Sequence, residues 1–215
     1  MDLLITGGSG FIGREIANRA IDRDHTVTSV SRGGRPDKPE PWHADVEWTV
    51  GDVFDPAPWR SHLTGCDVVV HSVGIIDESP PESTFERLNG DAGIIVGLEA
   101  ERANVERFVH LSAGVQPPLV RNAYLDAKRR AERTLVGLDF DLTILRPGPV
   151  YGSDQPHFPA PINRVFSLLD SVELLAAWLG NSRPLPVETV ARGALAATEG
   201  DLTGAVEVSE LTAYR

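Results

Sequence analysis

Short apolar runs alternate along the chain with longer segments in which apolar side chains recur at helical spacing. The runs that predict strands are residues 3–6, 26–30, 46–50, 68–70, 107–111, 142–145 and a last short one near 205–208. The segments that predict helices are residues 11–22, 56–63, 84–103, 124–136, 162–169 and 188–198. This alternation is typical of a parallel sheet with helices on both faces. We therefore expect an α/β fold, with a doubly wound parallel sheet in the strand order 3-2-1-4-5-6.

Proline and glycine are concentrated after the sixth predicted strand. We predict a long loop over residues 146–161, and loops at residues 77–83 and 113–122. Residues 147–185 are expected to form a small C-terminal lobe over the edge of the sheet. We expect this lobe to depend on the rest of the chain for its folding, so that residues 1–215 form a single domain.

A glycine-rich turn joins the first predicted strand to the first helix. Gly7 lets the chain leave the strand in a tight turn, Gly10 lets a pyrophosphate approach the backbone, and Gly13 lets the helix pack closely. The N-terminal end of the helix, with its free N–H groups, then faces the phosphates. An ordinary glycine-rich turn is the alternative. The predicted contacts with a dinucleotide in this stretch are Gly7, Ser9, Gly10, Phe11, Ile12 and Gly13.

The residues after the second predicted strand bear on the choice of dinucleotide. An Asp or Glu at this position accepts a hydrogen bond from the ribose 2′-hydroxyl and favours NAD. The chain has Ser31 and Arg32 here, with Arg35 close behind. Since an arginine pairs with a phosphate through two hydrogen bonds, this pattern favours NADP, with NAD as the alternative. Solvated loop charges are the other interpretation of the two arginines.

Polar and small residues follow the third and fourth predicted strands. Asp52, followed by Val53, is placed to accept from the adenine amino group, or equally to cap the predicted helix that comes next. Small residues after the fourth strand let the backbone run beside the cofactor. We interpret His71 as a packed histidine at the strand end and not as a catalyst. The predicted contacts after this strand are Ser72, Val73 and Gly74.

Tyr124 and Lys128 are four residues apart on a predicted helix and therefore share one face. A nearby ammonium favours tyrosinate, so we expect the pKa of the phenol to fall from about 10 towards the working pH. The phenol can then exchange a proton with a carbonyl or an alcohol. Ser112, at the end of the fifth strand, is placed to hydrogen-bond the same oxygen. The alternative is an unrelated surface pair, but Lys128 is one of only two lysines in the chain.

Composition narrows the class of partner. The chain has 215 residues, of which 41% are hydrophobic, and a net charge of −11, which argues against nucleic acid or an anionic membrane as partner. The lone Cys66 excludes an internal disulfide and a cysteine-cluster metal site, and we expect no metal. No apolar run is long enough for a membrane span. Met1 leads directly into the first strand, so we expect no targeting segment and a cytoplasmic protein.

These motifs together resemble the short-chain dehydrogenase/reductase superfamily, which has the Rossmann fold. The glycine spacing resembles that of its extended and atypical branches, which include NAD-dependent epimerase/dehydratases and NmrA-like proteins. Within these branches, the segments after the second and fourth strands look most similar to the group of the complex I 39-kDa subunit and a fungal group linked to coenzyme Q synthesis. The matching stretches are residues 6–13, 28–32, 51–53, 70–75, Ser112, Tyr124 with Lys128, and 145–152.

The resemblance implies a role for each matching residue. Ser112 would orient the substrate, Tyr124 would be the acid–base residue and Lys128 would bind the nicotinamide ribose. Pro147 and Gly148 would lie beside the nicotinamide. We expect an NADP-dependent oxidoreductase that acts on a small carbonyl or quinone-like substrate. A non-catalytic NAD(P)H-binding sensor or assembly factor, and an epimerase/dehydratase that retains its nicotinamide, are the alternatives.

Overall fold

A parallel sheet of seven strands forms the centre of the molecule. The computed structural model describes residues 1–38, 40–116, 120–156, 160–171 and 178–215. Its strands are β1 (Asp2–Thr6), β2 (Thr26–Ser31), β3 (Val46–Val50), β4 (Val68–His71), β5 (Arg107–Leu111), β6 (Asp141–Leu145), β7 (Val150–Tyr151), β8 (Leu185–Pro186) and β9 (Gly204–Val206). The sheet order is β3-β2-β1-β4-β5-β6-β9, with every pair parallel. The predicted order is thus confirmed, and β9 extends the sheet beyond β6.

Helices cover both faces of this sheet. They are α1 (Phe11–Ile21), α2 (Ala92–Arg102), α3 (Ala123–Leu135), α4 (Ala160–Ser171), α5 (Val187–Glu199) and α6 (Val208–Leu211). The predicted loop 146–161 is partly wrong, because it contains β7, which pairs in parallel with β8 in a second small sheet. The predicted helix 56–63 is reduced to a 3₁₀ turn at Arg60–Leu63. No helix in the described ranges is long and apolar enough to cross a bilayer.

Alternate residues of the central strands point into two separate cores, as the two-residue repeat of a strand requires. Leu3 and Ile5 pack against α1 and α5 on one face, whereas Leu4 packs against α2 and α3 on the other. Both faces of these strands are therefore buried. This explains why the strands appear in the sequence as nearly continuous apolar runs.

The segment predicted as one helix over residues 84–103 is divided in two. Residues Glu86–Asp91 form a π-helix, and α2 follows from Ala92. The side chain of Asn89, in the π-helix, donates to the Ile75 carbonyl at 2.9 Å and accepts from the Ile75 N–H at 2.8 Å. The extra residue per turn of a π-helix is a recurrent feature of functional sites. Here the side chain of Asn89 ties the loop after β4 to the π-helix.

The direction of the crossovers changes between β1 and β4. The connection after β1 passes through α1 on one face, and the connection after β4 passes through α2 on the other. In open parallel sheets such a reversal leaves a crevice outside the carboxyl ends of the strands. This crevice is where a ligand is expected.

Candidate active site

A pocket of about 300 Å³ opens at the carboxyl ends of β1, β2, β3 and β4. Many of the predicted cofactor contacts line it: Gly7, Ser9, Gly10, Ser31, Arg32, Asp52, Val53, Ser72, Val73 and Gly74. Other predicted contacts do not line it: Phe11, Ile12, Gly13, Lys128, Pro147 and Gly148. Phe54, Glu82 and Arg87 also line the pocket, although sequence reasoning did not single them out.

The turn after β1 has the geometry of a phosphate cradle. Gly7 has a positive φ of +80°, a conformation that suits glycine, and its carbonyl accepts from the Gly10 N–H at 2.9 Å. A methyl group on Gly10 would lie 3.1 Å from the same carbonyl oxygen. Helix α1 begins after Gly10 without a side-chain cap. A phosphate group fits this arrangement, since the N-terminal N–H groups of a helix bind anions.

Gly13 brings α1 close to the ends of β1 and β4. A methyl group on Gly13 would overlap the Gly7 carbonyl oxygen and lie 2.6 Å from Ser72 Oγ. Ser72 Oγ itself donates to the Thr6 carbonyl at 2.8 Å, so it is held in place. The close packing predicted for Gly13 is therefore present. The position serves the shape of the turn and does not line the pocket.

We expect Gly13→Ala to lower the free energy of unfolding by roughly 1–3 kcal/mol, because the added methyl overpacks fixed backbone. Affinity for NADPH should fall as well, since the turn at Gly7 must move. Thermal denaturation and isothermal titration measure the two effects. Gly137→Ala is the control, because its new methyl would make only an ordinary contact of 3.5 Å. Equal stability of the two variants would contradict the packing argument.

Asp52 serves the turn after β3 as well as the pocket. Its Oδ1 accepts from the Phe54 N–H at 2.9 Å, and its carbonyl accepts from Trp59 Nε1 at 2.9 Å. The capping alternative for Asp52 thus holds in altered form, because the side chain caps a turn and not a helix. Since Asp52 also lines the pocket, adenine recognition by the same side chain stays a prediction.

Lys128 is buried behind Gly74, which lines the pocket. Its Nζ donates to the Leu111 carbonyl at 2.7 Å. A methyl group on Gly74, in the pocket wall, would lie 3.1 Å from the same Nζ. Burial lowers the pKa of Lys128 to about 8, opposed by the charge of Glu132. The ammonium therefore loses its proton close to neutral pH, and only Gly74 separates it from the pocket.

His71 and His110, near this lysine, are buried in the packed interior. His71 Nδ1 lies 2.8 Å from Thr6 Oγ1, and the ring stacks on His110 with centroids 5.5 Å apart. Burial, together with the charge of Lys128, lowers the pKa of His71 to about 3. His71 is thus a buried neutral histidine at the strand end, as predicted.

Tyr124 lies in a small apolar cluster on the same helix. Its ring meets Phe85 edge-on with centroids 5.6 Å apart, and Ala113 and Ala127 complete the cluster. Burial raises the pKa of Tyr124 to about 12, opposed by the charge of Arg129. The expectation of a lowered pKa is therefore wrong for this structure. Removal from water outweighs the attraction of Arg129 for the tyrosinate form, and Lys128 has no resolved effect on this pKa.

Ser112 is engaged with charged side chains. Its hydroxyl donates to Glu132 Oε1 and accepts from Arg129 Nη1 at 3.3 Å. The hydroxyl has one proton, and Glu132 already takes it. In this structure that proton is directed at Glu132, and a hydrogen bond between Ser112 and a substrate oxygen stays a prediction.

Glu132 is the centre of this charged cluster and was not singled out from the sequence. It is buried and accepts from Arg146 Nη2 at 2.6 Å and from Arg129. Burial alone would raise the pKa of Glu132, but hydrogen bonds from Arg146 and Ser112 hold it below its ordinary value. The spacing of four residues from Tyr124 to Lys128 to Glu132 is a signal that could have revealed it.

Pro147 and Gly148 form part of the packing beside β6. The Pro147 carbonyl accepts from the Gly114 N–H at 2.8 Å. A methyl group on Gly148 would overlap the Arg183 carbonyl oxygen and lie 3.0 Å from that of Asn181. Glycine is therefore needed here for close approach of two backbone segments. Contact with the nicotinamide stays a prediction.

The chain belongs to the NAD(P)H-binding family, whose model matches residues 7–159. Its fold is the NAD(P)-binding Rossmann fold that the resemblance found in the sequence implies. The Bordetella bronchiseptica enzyme WbmH, solved in complex with NAD⁺, has the same fold. The TM-score is 0.67 at 24% identity, over 97% of this chain and 78% of that one.

Three of the curated relatives belong to a plant, a yeast and a bacterium. The chloroplastic protein At1g32220 of Arabidopsis thaliana is 32% identical, over 79% of this chain and 58% of that protein. MIOREX complex component 2 of Saccharomyces cerevisiae is 29% identical, over 68% and 71%. A 3 beta-hydroxysteroid dehydrogenase/Delta 5-->4-isomerase of Mycobacterium tuberculosis is 29% identical, over 73% and 49%. The chain thus spans 58% of the Arabidopsis relative and 49% of the mycobacterial one.

Proposed function

We propose that the chain is an oxidoreductase that uses NADP(H) to reduce a small carbonyl or quinone-like substrate. The observation that carries this proposal is that Tyr124 and Lys128 are both buried on α3, with Lys128 directly behind Gly74 of the pocket wall. The mycobacterial relative is named a hydroxysteroid dehydrogenase, and the similarity of its sequence to this chain supports an oxidoreductase activity. When bound, the nicotinamide supplies the hydride.

Tyr124 acts as the proton donor in this proposal. Reduction of a carbonyl adds a hydride at carbon and a proton at oxygen, and the O–H bond of the phenol is the one that breaks. A phenol with a pKa of about 12 keeps its proton at neutral pH, so the proton to be donated is present, and a pKa closer to the working pH in the complex would ease its transfer. Lys128, with a pKa of about 8, carries most of its charge at pH 7 and is suited to hold the hydroxyls of the nicotinamide ribose.

Substrate enters, in this proposal, beneath the C-terminal lobe formed by residues 147–185. The backbone of Gly148 meets that of Asn181 and Arg183, so both ends of this segment are fastened together. The ion pair of Arg183 with Asp170, at 3.0 Å, ties α4 to the same end. We expect this lobe to form the wall that selects the substrate.

The preference for NADP rests on Arg32. It lines the pocket after β2, where an acidic residue would favour NAD. Among the described residues no carboxylate lies within ion-pair distance of it. Its guanidinium is therefore free to pair with the adenosine 2′-phosphate.

We expect Arg32→Asp to weaken NADPH binding by about tenfold or more, the scale of one lost charge-assisted contact, and to affect NADH binding much less. Fluorescence titration with both nucleotides measures the change. Arg60→Asp, an exposed arginine after β3 that does not line the pocket, is the control for the altered net charge. Tighter binding of NADH than NADPH by the unmodified protein, or equal losses for both nucleotides, would refute the NADP assignment.

The reaction itself is tested by a substrate screen. Purified protein with NADPH is offered ketones, aldehydes, quinones and oxidised steroids, and loss of the reduced nicotinamide is followed by absorbance. The steroids are included because of the mycobacterial relative. Turnover of any of these compounds supports the proposal, and the pattern of accepted compounds defines the substrate class.

A non-catalytic role is the second candidate. Ser112 has its only proton committed to Glu132, and the name of the yeast relative places that protein in a complex. Both observations favour a cofactor-binding assembly factor or sensor. Tight NADPH binding without turnover in the full screen would favour the assembly factor or sensor over the oxidoreductase.

A further inference from the structure

Arg87 and Phe54 lie face to face in the wall of the cofactor pocket. The guanidinium carbon of Arg87 is 3.7 Å from the centre of the Phe54 ring. Arg87 lies in the first turn of the π-helix, where its backbone N–H donates to Thr84 Oγ1 at 3.3 Å. The stacked ring and the anchored backbone hold the guanidinium at the pocket.

Arg87 forms no ion pair among the described residues. No carboxylate of the described ranges lies within ion-pair distance of it, and its buried Nε has no hydrogen-bond acceptor there. The acidic residues that line the same pocket are Asp52, whose Oδ1 is bonded to the Phe54 N–H, and exposed Glu82. A buried cationic donor without a partner indicates an anionic ligand.

The position of Phe54 shows which end of the pocket Arg87 faces. Phe54 is held by Asp52 just after β3, and the Gly51 N–H donates to the Ser31 carbonyl at 3.1 Å. The end of β3 therefore lies directly beside the end of β2, which carries Arg32. This is the end at which a Rossmann fold reads the adenosine ribose.

We propose that Arg87 is a second cation of the 2′-phosphate site, reaching it from the π-helix while Arg32 reaches it from β2. A guanidinium that stacks on a ring through its face keeps its N–H edge free, and that edge matches a phosphate in two-point geometry. Phe54 is a positioning residue for this contact. The inference rests on the proposed use of NADP.

Two adenine nucleotides that differ by a single phosphate test the role of Arg87. Adenosine 2′,5′-bisphosphate carries the 2′-phosphate, and adenosine 5′-monophosphate lacks it. For Arg87→Gln we expect about tenfold or greater loss of affinity for the bisphosphate, and less than about threefold for the monophosphate. Isothermal titration of the full chain gives both constants, and NADPH and NADH should show the same contrast.

Control variants separate recognition from charge and from packing. Arg133→Gln removes one exposed positive charge from the end of α3 and should change neither constant. Phe54→Leu keeps an apolar wall but removes the ring under Arg87, and should lose bisphosphate affinity by an intermediate factor. Denaturation curves identify any variant that fails to fold. For such a case Arg87→Lys keeps the charge without the two-point edge and should give a smaller selective loss.

The outcomes distinguish this inference from the NADP proposal. Equal losses for the two nucleotides in Arg87→Gln, or no loss for either, would overturn the role of Arg87. If Arg32→Asp is selective while Arg87→Gln is not, only the inference about Arg87 fails. If the unmodified protein binds both nucleotides equally and Arg32→Asp is not selective, the proposed preference for NADP fails, and the inference about Arg87 fails with it.

Discussion

Replacing Tyr124 with phenylalanine should lower kcat by roughly 10²–10⁴-fold on any substrate that the screen identifies, the scale of losing a general acid. The variant keeps the aromatic ring and therefore its edge-on contact with Phe85. Only the hydroxyl is removed. The affinity for NADPH and the free energy of unfolding should accordingly stay close to those of the unmodified protein.

The pKa values give this prediction a pH dependence. Because burial raises the pKa of Tyr124 to about 12, the phenol keeps its proton throughout the neutral range, and its titration should not limit reduction there. Lys128 loses its charge as the pH rises through about 8, so NADPH binding should weaken above that pH. The weakening should persist in Tyr124→Phe and be absent in Lys128→Met, whose affinity is low at every pH.

Tyr214→Phe is the matched control for Tyr124→Phe. It removes the same hydroxyl from a 3₁₀ turn near the C-terminal end of the described chain, outside the residues that line the pocket. Its kcat should equal that of the unmodified protein. Turnover by Tyr124→Phe at the same rate would show that another group supplies the proton, and the proposed role of Tyr124 would be wrong.

The fold was predictable because its signals are local. Strands that are buried on both faces require nearly continuous apolar runs, as in residues 68–70, and these runs are visible without any tertiary information. The glycine spacing after β1 is equally local, because Gly7, Gly10 and Gly13 act within one turn of chain. The gathering of the strand ends around the pocket follows from the parallel order alone.

The parts of the site that the sequence did not predict depend on contacts between residues far apart in the chain. Phe54 and Arg87 meet only because the loop after β3 and the π-helix border the same pocket. Similarly, Ser112 and Glu132 are 20 residues apart, and nothing in the local sequence directs one to the other. The pKa of Tyr124 depends on how much water the folded cluster excludes. Helical spacing placed Tyr124 and Lys128 on one helix but carried no information about their burial, nor about Arg129, whose charge acts on the phenol.

The charged cluster around Glu132 connects α3 with the ends of β5, β6 and β9. Glu132 lies on α3, and Arg146, directly after β6, donates to it through Nη2 at 2.6 Å. Arg146 also donates to Glu207 at 2.8 Å, beyond β9. The hydroxyl of Ser112, after β5, donates to the same carboxylate. The cluster therefore fixes the helix that carries Tyr124 and Lys128 against the sheet.

We expect Glu132→Gln to lower the free energy of unfolding by about 3–5 kcal/mol, the usual cost of removing one partner from a buried ion pair. The amide keeps the shape of the side chain but leaves Arg146 and Arg129 without their shared negative charge. For a domain of this size the loss corresponds to a decrease in Tm of about 10 °C. Urea denaturation and calorimetry measure the two quantities.

The pH dependence of stability separates the charge of Glu132 from its shape. Its folded-state pKa is below the unfolded value of about 4.3, so the ionised form contributes stability that is fully present above pH 4.3. That contribution is lost as the pH falls through the lower, folded-state pKa. The difference in unfolding free energy between the unmodified protein and Glu132→Gln should therefore be constant near neutral pH and shrink in acid. Glu106→Gln, at an exposed position, should change stability by no more than about 0.5 kcal/mol. A Glu132→Gln protein as stable as this control would show that the carboxylate does not fasten α3 to the sheet.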